Sequence, residues 1–160
     1  MGTVITINKL KNVKNLVIDS QVKRVGFDLG GVLIERPLPI GSWNNDPGNC
    51  LWVKGAKDLL LDLSAMSIDI WFISRARNGE VMDSKRIWLD AHCGSSSQFH
   101  WVRQRTIFCL EREDKIPLIE CMGIQLFVDD RDEICQQIGD YCIPVCYSPC
   151  GCEKPCLCYI

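Results

Sequence analysis

The 160-residue chain lacks the features that mark membrane, secreted and strongly nucleic-acid-binding proteins. No apolar run approaches the roughly 20 residues that cross a bilayer. The N-terminus has no secretory pattern, because Lys9, Lys11 and Lys14 follow its apolar residues and do not precede them. The net charge is only −2, which supplies no overall basic field for nucleic acid, although a local patch is compatible with it. We therefore expect a cytoplasmic, single-domain protein whose core forms without disulfides.

Histidine is scarce and cysteine is abundant. We expect both histidines, His92 and His100, to be structural or exposed. An odd total of eleven cysteines without a secretory leader argues against a secreted disulfide framework. Five cysteines are dispersed, mostly in apolar segments where a thiol packs as a small hydrophobe: Cys50, Cys93, Cys109, Cys121 and Cys135.

The two ends of the chain carry patterns of their own. A domain over residues 1–148 is followed by a cysteine-rich tail, residues 149–160. Six cysteines crowd the end of the chain: Cys142, Cys146, Cys150, Cys152, Cys156 and Cys158. The five from Cys146 onward could bind Zn²⁺ or Cu(I), but their spacing lacks the two-residue knuckle of ordinary zinc sites. Reversible disulfides, lipid attachment and a disordered tail are the alternatives. The opening residues fit the N-myristoylation pattern with Gly2 as acceptor, although such short patterns also match by chance.

The chain is organised around the stretch from Arg24 to Ile34, an apolar run that is interrupted by Asp28 and by glycines and then resumes. A short apolar run of this kind is typical of a buried strand, so Asp28 falls where the strand ends in a turn. A buried carboxylate requires a cation, hydrogen-bond donors or a chemical role. The alternative is an Asp whose side chain only caps the turn.

Strand and helix patterns alternate along most of the chain. This alternation predicts an α/β, Rossmann-like, mostly parallel sheet of about five strands with helices on both faces. Two further short strands, over 3–7 and 15–19, are expected to form a hairpin before it. In the helix over 80–91, the candidate core residues are Val81, Ile87, Trp88 and Ala91. Strands are predicted over 24–29, 69–74, 106–110, 125–128 and 141–147, helices over 53–66, 80–91, 113–122 and 134–138, and an irregular loop over 35–52.

Polar side chains follow three of these strands: Asp28, Ser74 and the pair Asp129-Asp130. Ligands collect at the carboxyl ends of parallel strands, and adjacent carboxylates suit Mg²⁺. Ser74 and Lys115 could then donate to phosphate oxygens, with Asp28 placed to attack phosphorus and form an aspartyl-phosphate. The alternatives are a simple turn at Asp129-Asp130, a solvated Lys115 and an ordinary strand-end hydroxyl at Ser74.

Four motifs resemble those of the haloacid dehalogenase (HAD) superfamily, in order and at suitable spacing over residues 22–148. They are Phe27-Asp28-Leu29-Gly30-Gly31-Val32-Leu33, Ile70 to Ser74, Asp114-Lys115-Ile116-Pro117 and Val128-Asp129-Asp130-Arg131. The resemblance implies that Asp28 is both nucleophile and Mg²⁺ ligand, and that the Gly30 backbone carbonyl is a second ligand. It further implies that Asp130, with Asp129 through water, completes the metal site, while Ser74 and Lys115 bind the phosphoryl group.

The sequence departs from the phosphatases of that superfamily at Gly30, where they usually carry a second Asp that protonates the leaving group and later activates water. General acid–base help is worth about 10² to 10⁴ in rate, so a slow phosphatase is predicted unless the substrate or a loop residue supplies the acid. The alternatives are a non-catalytic phosphate-binding or metal-binding module that has lost the acid, and a phosphotransferase.

The spacing of the motifs leaves no room for a cap domain, since Asp28 to Ser74 spans 46 positions and Ser74 to Lys115 spans 41. Capless members of the superfamily tend to act on extended or macromolecular phosphorylated substrates, and small substrates are not excluded. The fourth motif is also similar to that of polynucleotide 3′-phosphatases, which makes a nucleic-acid end one candidate by analogy.

Overall fold

The computed structural model describes residues 2–35 and 47–150. Its centre is one sheet in which every strand pairing is parallel, with strand order β1-β6-β5-β2-β3-β4. The strands are β1 (Ile5–Ile7), β2 (Arg24–Phe27), β3 (Asp69–Arg75), β4 (Thr106–Cys109), β5 (Leu126–Asp129) and β6 (Ile143–Tyr147). The predicted α/β, Rossmann-like class is confirmed. The sheet has a sixth strand because β1 joins its edge beside β6.

The helices fill the connections between the strands. They are α1 (Asn12–Ser20), α2 (Ala56–Ala65), α3 (Gly79–His92), α4 (Trp101–Gln104), α5 (Lys115–Cys121) and α6 (Asp132–Cys135), with short 3-10 turns at Pro47–Asn49 and Arg112–Asp114. The structure thus contains helices at the first three predicted positions, while α6 begins before the predicted helix over 134–138 and overlaps only its first two residues. Pro117 lies in the first turn of α5, where its missing N–H costs no helical hydrogen bond.

The predicted hairpin at the N-terminus is wrong in its second half, because residues 15–19 lie within α1 and β1 pairs in parallel with β6. Val13 and Val17 are buried four positions apart while Ile18 is half exposed, which is helical and not strand periodicity. A short apolar run does not distinguish the two structures by itself.

The predicted core face of α3 is also partly wrong. Trp88 is buried as expected, but Ile87 and Ala91 are exposed. The buried face instead contains Ser84, Lys85 and Leu89. Two polar residues therefore face the sheet, and this rotation of α3 brings a lysine toward the ends of the strands.

Helices cover both faces of the sheet. Alternate strand residues enter two separate apolar clusters, as period-two side-chain geometry requires. Phe72 and Val128 belong to the larger cluster, with residues of α1, α2 and α3. Ile73 and Phe127 belong to the smaller cluster, with residues of α5 and α6. The central strand β2 includes Gly26 because a Cβ there would lie 2.6 Å from Cδ2 of Phe127.

The segment after the 3-10 turn at Pro47–Asn49 is fixed to α3 by aromatic and polar contacts. Nε1 of Trp88 donates to the carbonyl oxygen of Cys50 at 2.9 Å, and Nε2 of His92 lies 2.9 Å from that of Gly48. The rings of Trp52 and Trp88 meet edge to face with centroids 4.8 Å apart. His92 is thus a structural residue, and His100 is exposed, as predicted.

In the part of the chain that the structure describes, the segments after β2 and β3 contain only short helices and turns, and neither contains a second folded unit. None of the helices there combines the length and the apolar character that crossing a bilayer demands. The tail over 151–160 lies outside the described residues.

Candidate functional site

Three acidic residues meet at the carboxyl ends of two neighbouring strands. Strands β2 and β5 pair with Phe27 opposite Val128, so Asp28 and Asp129 follow side by side, and the Asp28 N–H donates to the Val128 carbonyl oxygen at 3.0 Å. One carboxylate oxygen from each of Asp28, Asp129 and Asp130 lies within 4.8 Å of the others. All three residues are buried. We call these three residues the acidic triad.

Lys115 pairs with two members of the triad. It is the first residue of α5 and only 2% of it is exposed, so the solvated-lysine alternative is wrong. Its Nζ lies 3.1 Å from Oδ1 of Asp28 and 2.9 Å from Oδ2 of Asp129. Burial by itself lowers the pKa of Lys115, but the two carboxylates outweigh burial and hold that pKa above its ordinary value. Lys115 is therefore a charged, doubly paired ammonium.

Backbone donors fix the carboxylates of the triad. The Leu29 N–H donates to Oδ1 of Asp28 at 2.8 Å, and the Arg131 N–H donates to Oδ1 of Asp129 at 2.9 Å. After Asp28 the chain turns sharply, with Gly31 at a φ of 80° that favours glycine. The N–H groups of residues 32, 33 and 34 all donate to the Leu29 carbonyl oxygen. This turn makes the position of Asp28 rigid.

The triad contains more negative charge than Lys115 can balance. Three carboxylates and one ammonium leave two negative charges in excess when all are ionised. Burial, followed by repulsion from Asp28 and Asp130, raises the pKa of Asp129 to about 7 despite the Lys115 contact. A hard divalent cation with oxygen ligands would cancel this excess, so the donor set fits Mg²⁺. The residues that would hold the ion are the three of the triad.

Gly30 lies in the turn that follows Asp28 and forms an isolated bridge with Ile34. The φ angle of Gly30 is not positive. Among the described glycines, positive φ angles occur at Gly31, Gly55 and Gly123. The backbone of Gly30 is thus one that other residues adopt without left-handed strain. The Gly30 carbonyl stays a predicted metal ligand, and no side chain is available at this position for acid–base chemistry.

Ser74 is fully buried at the end of β3, where it contacts a second lysine that the sequence does not predict as a site residue. Nζ of Lys85 donates to Oγ of Ser74 at 2.7 Å and also to the carbonyl oxygen of Arg75. The sequence feature that could have indicated a buried Lys85 is its spacing. Lys85 precedes Trp88 by three positions and Leu89 by four, which places it on the buried face of α3. Without that spacing, a lysine in a polar segment is interpreted as a solvated surface residue.

A groove of about 740 Å³ begins beside Gly31, one residue after Gly30. Lys9, Lys11 and Lys54 line it, together with Tyr147 and several acidic residues. Residues 8–11 follow β1 and Tyr147 ends β6, so the groove borders the same edge of the sheet as the triad. Its size is compatible with a substrate that extends past the phosphate.

The described cysteines do not extend the metal site. Within residues 2–35 and 47–150, the acidic triad is the one group of potential metal ligands that lie close enough together. Of the five dispersed cysteines, Cys93 and Cys135 are buried as predicted, Cys50 and Cys109 are only partly buried, and Cys121 is exposed, which contradicts the prediction for it. Burial raises the pKa of the Cys93 thiol to about 12. Cys146, which begins the proposed zinc pattern, is buried in β6. Cys152, Cys156 and Cys158 lie outside the described residues, so the Zn²⁺ hypothesis stays a prediction.

No protein-family model matches this chain, and no curated protein matches it. Membership of the HAD superfamily therefore remains a prediction from the four motifs.

Proposed function

We propose that this protein is a Mg²⁺-dependent phosphomonoester hydrolase of the HAD type that acts through an aspartyl-phosphate on Asp28. The observation that supports the proposal is the buried acidic triad around Lys115, because three carboxylates that converge at the carboxyl edge of a parallel sheet favour a divalent cation. Asp28 directly follows β2, one of the two middle strands of the sheet, and its Oδ1 accepts from the Leu29 N–H.

In the proposed reaction a carboxylate oxygen of Asp28 attacks phosphorus, and the bond from phosphorus to the ester oxygen breaks. Water then attacks the phosphorus of the acyl phosphate, which releases inorganic phosphate and restores the Asp28 carboxylate. Lys115 and the Leu29 N–H hold Oδ1 of Asp28, which keeps the carboxylate oriented during both steps. Mg²⁺ held by the triad would neutralise charge on the phosphoryl group during transfer.

Gly30 offers no side chain to protonate the leaving group, so in this proposal the leaving group takes its proton from water. The leaving oxygen of an acidic alcohol or a phenol departs with little protonation, whereas the leaving oxygen of an ordinary alcohol needs a proton much more. The proposed enzyme should therefore favour substrates whose leaving group has a low pKa. The groove beside Gly31 supports a substrate that extends beyond the phosphate, whether small or macromolecular.

The direct test is a panel of phosphomonoesters graded by leaving-group pKa, assayed for phosphate release with Mg²⁺ and again with EDTA. We expect Mg²⁺-dependent turnover that rises steeply as the leaving-group pKa falls, because Gly30 supplies no acid to protonate a poor leaving group. Phosphate release that is indifferent to EDTA, or absent across the panel, would contradict the proposal.

The Gly30→Asp variant should increase turnover of alkyl phosphates by about tenfold or more, since general acid–base catalysis contributes 10²- to 10⁴-fold where it is well positioned. The backbone of Gly30 is compatible with Asp because its φ is not positive. Aryl phosphates are the internal control, and their turnover should change much less. An equal change for both substrate classes would mean that the missing acid is not the defect.

A second candidate function is a non-catalytic module that binds Mg²⁺ and phosphate, which the absence of an acidic side chain at Gly30 favours. The two candidates differ in turnover and not in binding. Mg²⁺ and phosphate binding without any hydrolysis, including in Gly30→Asp, would favour the module.

A further inference from the structure

A second buried ammonium lies beside the site, at the end of β3. Lys85 is 6% exposed, and its Nζ donates to Oγ of Ser74 at 2.7 Å and to the carbonyl oxygen of Arg75. Ser74 itself is fully buried, and its carbonyl oxygen accepts a weak hydrogen bond from Sγ of Cys109 at 3.7 Å. Burying a lysine is costly unless its charge and its donors are used. This arrangement therefore calls for an explanation beyond packing.

We infer that Lys85 is a positioning residue that orients the Ser74 hydroxyl toward the phosphoryl group of the substrate, an inference that rests on the proposed function. An ammonium has three donors and no acceptor, so Oγ of Ser74 must be the acceptor in this pair. The hydroxyl proton of Ser74 then points away from Lys85 and is free to donate to a phosphoryl oxygen. The Arg75 carbonyl takes a second hydrogen from Lys85 and fixes the ammonium in place.

The charge of Lys85 also suits a phosphate dianion. Mg²⁺ would cancel the two excess negative charges of the triad and Lys115, which leaves that group neutral. Lys85 adds one positive charge beside it. The ammonium polarises Oγ of Ser74, which strengthens a hydrogen bond that Ser74 donates.

The test measures binding of inorganic phosphate to the full chain at saturating Mg²⁺, by calorimetry, and so does not depend on turnover. Lys85→Met should weaken phosphate binding about 10- to 100-fold, the range for losing a charge-assisted hydrogen bond. It should not weaken Mg²⁺ binding, because the variant removes a positive charge near the metal site. The matched control is Lys23→Met, an exposed lysine just before β2 at the opposite edge of the sheet, and it should change neither affinity.

A double-mutant cycle with Ser74→Ala separates positioning from a general charge effect. If Lys85 acts through Ser74, Lys85→Met should cost at least about fivefold less phosphate affinity in the Ser74→Ala background than in the wild type. An equal cost in both backgrounds would overturn the inference. Should Lys85→Met fail to fold, Lys85→Leu takes its place in the same cycle, because it also removes both the N–H donors and the charge.

Failure of this inference and failure of the proposed function give different results. A wild type that binds Mg²⁺ but no phosphate would overturn both. Phosphate binding that is strong in the wild type and equally strong in Lys85→Met would overturn only the role of Lys85.

Discussion

Asp28→Asn should reduce Mg²⁺-dependent phosphatase activity to background, a loss of at least about 10³-fold, because loss of a covalent nucleophile typically leaves only the contribution of binding and electrostatics. The substitution keeps the size of the side chain and one of its oxygen atoms. It replaces a nucleophilic carboxylate with an amide that cannot form the acyl phosphate. The measurement is phosphate release from the best aryl phosphate, at Mg²⁺ concentrations raised until the rate no longer changes.

Raising Mg²⁺ to saturation separates the two roles assigned to Asp28. A variant that lacked only a metal ligand would regain activity at high Mg²⁺, whereas a variant that lacks the nucleophile would stay at background. Asp19→Asn is the matched control, since Asp19 is an exposed acid at the end of α1 and should behave as the wild type. Activity that survives Asp28→Asn at any Mg²⁺ concentration would show that Asp28 is not the nucleophile.

The parallel sheet could be predicted because most of its strands are buried on both faces and so form short apolar runs between helical segments. The failure at residues 15–19 has a physical cause. Leu16, Val17 and Ile18 form an apolar run that a helix and a strand can both contain, and only packing of Val13 and Val17 into the core decides between them.

The acidic triad could be predicted because the carboxyl ends of parallel strands meet at one edge. Strand order itself could not be read from the sequence, yet the pairing of β2 with β5 is what brings Asp28 beside Asp129. Lys85 could not be predicted because its role depends on the rotation of α3 against the sheet. The predicted face contains Ile87 and Ala91 where the observed face contains Ser84 and Leu89, and this difference hides the lysine.

Function and stability are linked at this site through charge. Buried carboxylates are tolerable only where donors and cations compensate them, so the groups that would bind Mg²⁺ and phosphate are also those that strain the metal-free fold. The raised pKa of Asp129 is one expression of that strain. Lys115 reduces this electrostatic strain. Removal of Lys115 should therefore affect the stability of the fold as strongly as the proposed catalysis.

Lys115→Met should lower the free energy of unfolding by about 3 to 5 kcal/mol in EDTA, the usual cost of removing one partner from a buried ion pair. Methionine keeps the length and apolar stem of lysine, so the lost stability would come from electrostatics and not from packing. The measurement is urea unfolding followed by circular dichroism. Lys14→Met is the matched control, because Lys14 pairs with Asp62 at 3.6 Å with 42% of its side chain exposed, and surface pairs contribute at most about 1 kcal/mol.

Mg²⁺ should restore part of the stability that Lys115→Met loses. Without Lys115, the triad has three negative charges and a divalent ion cancels two of them, so Mg²⁺ should stabilise the variant more than the wild type when both are compared at the same saturating concentration. The stabilisation by Ca²⁺ at the same concentration is the comparison. Because Mg²⁺ requires a smaller and more regular oxygen site than Ca²⁺, the comparison tests whether the triad holds an ion for its charge alone. A Lys115→Met protein as stable in EDTA as the wild type would contradict the charge balance on which both the metal site and the nucleophile depend.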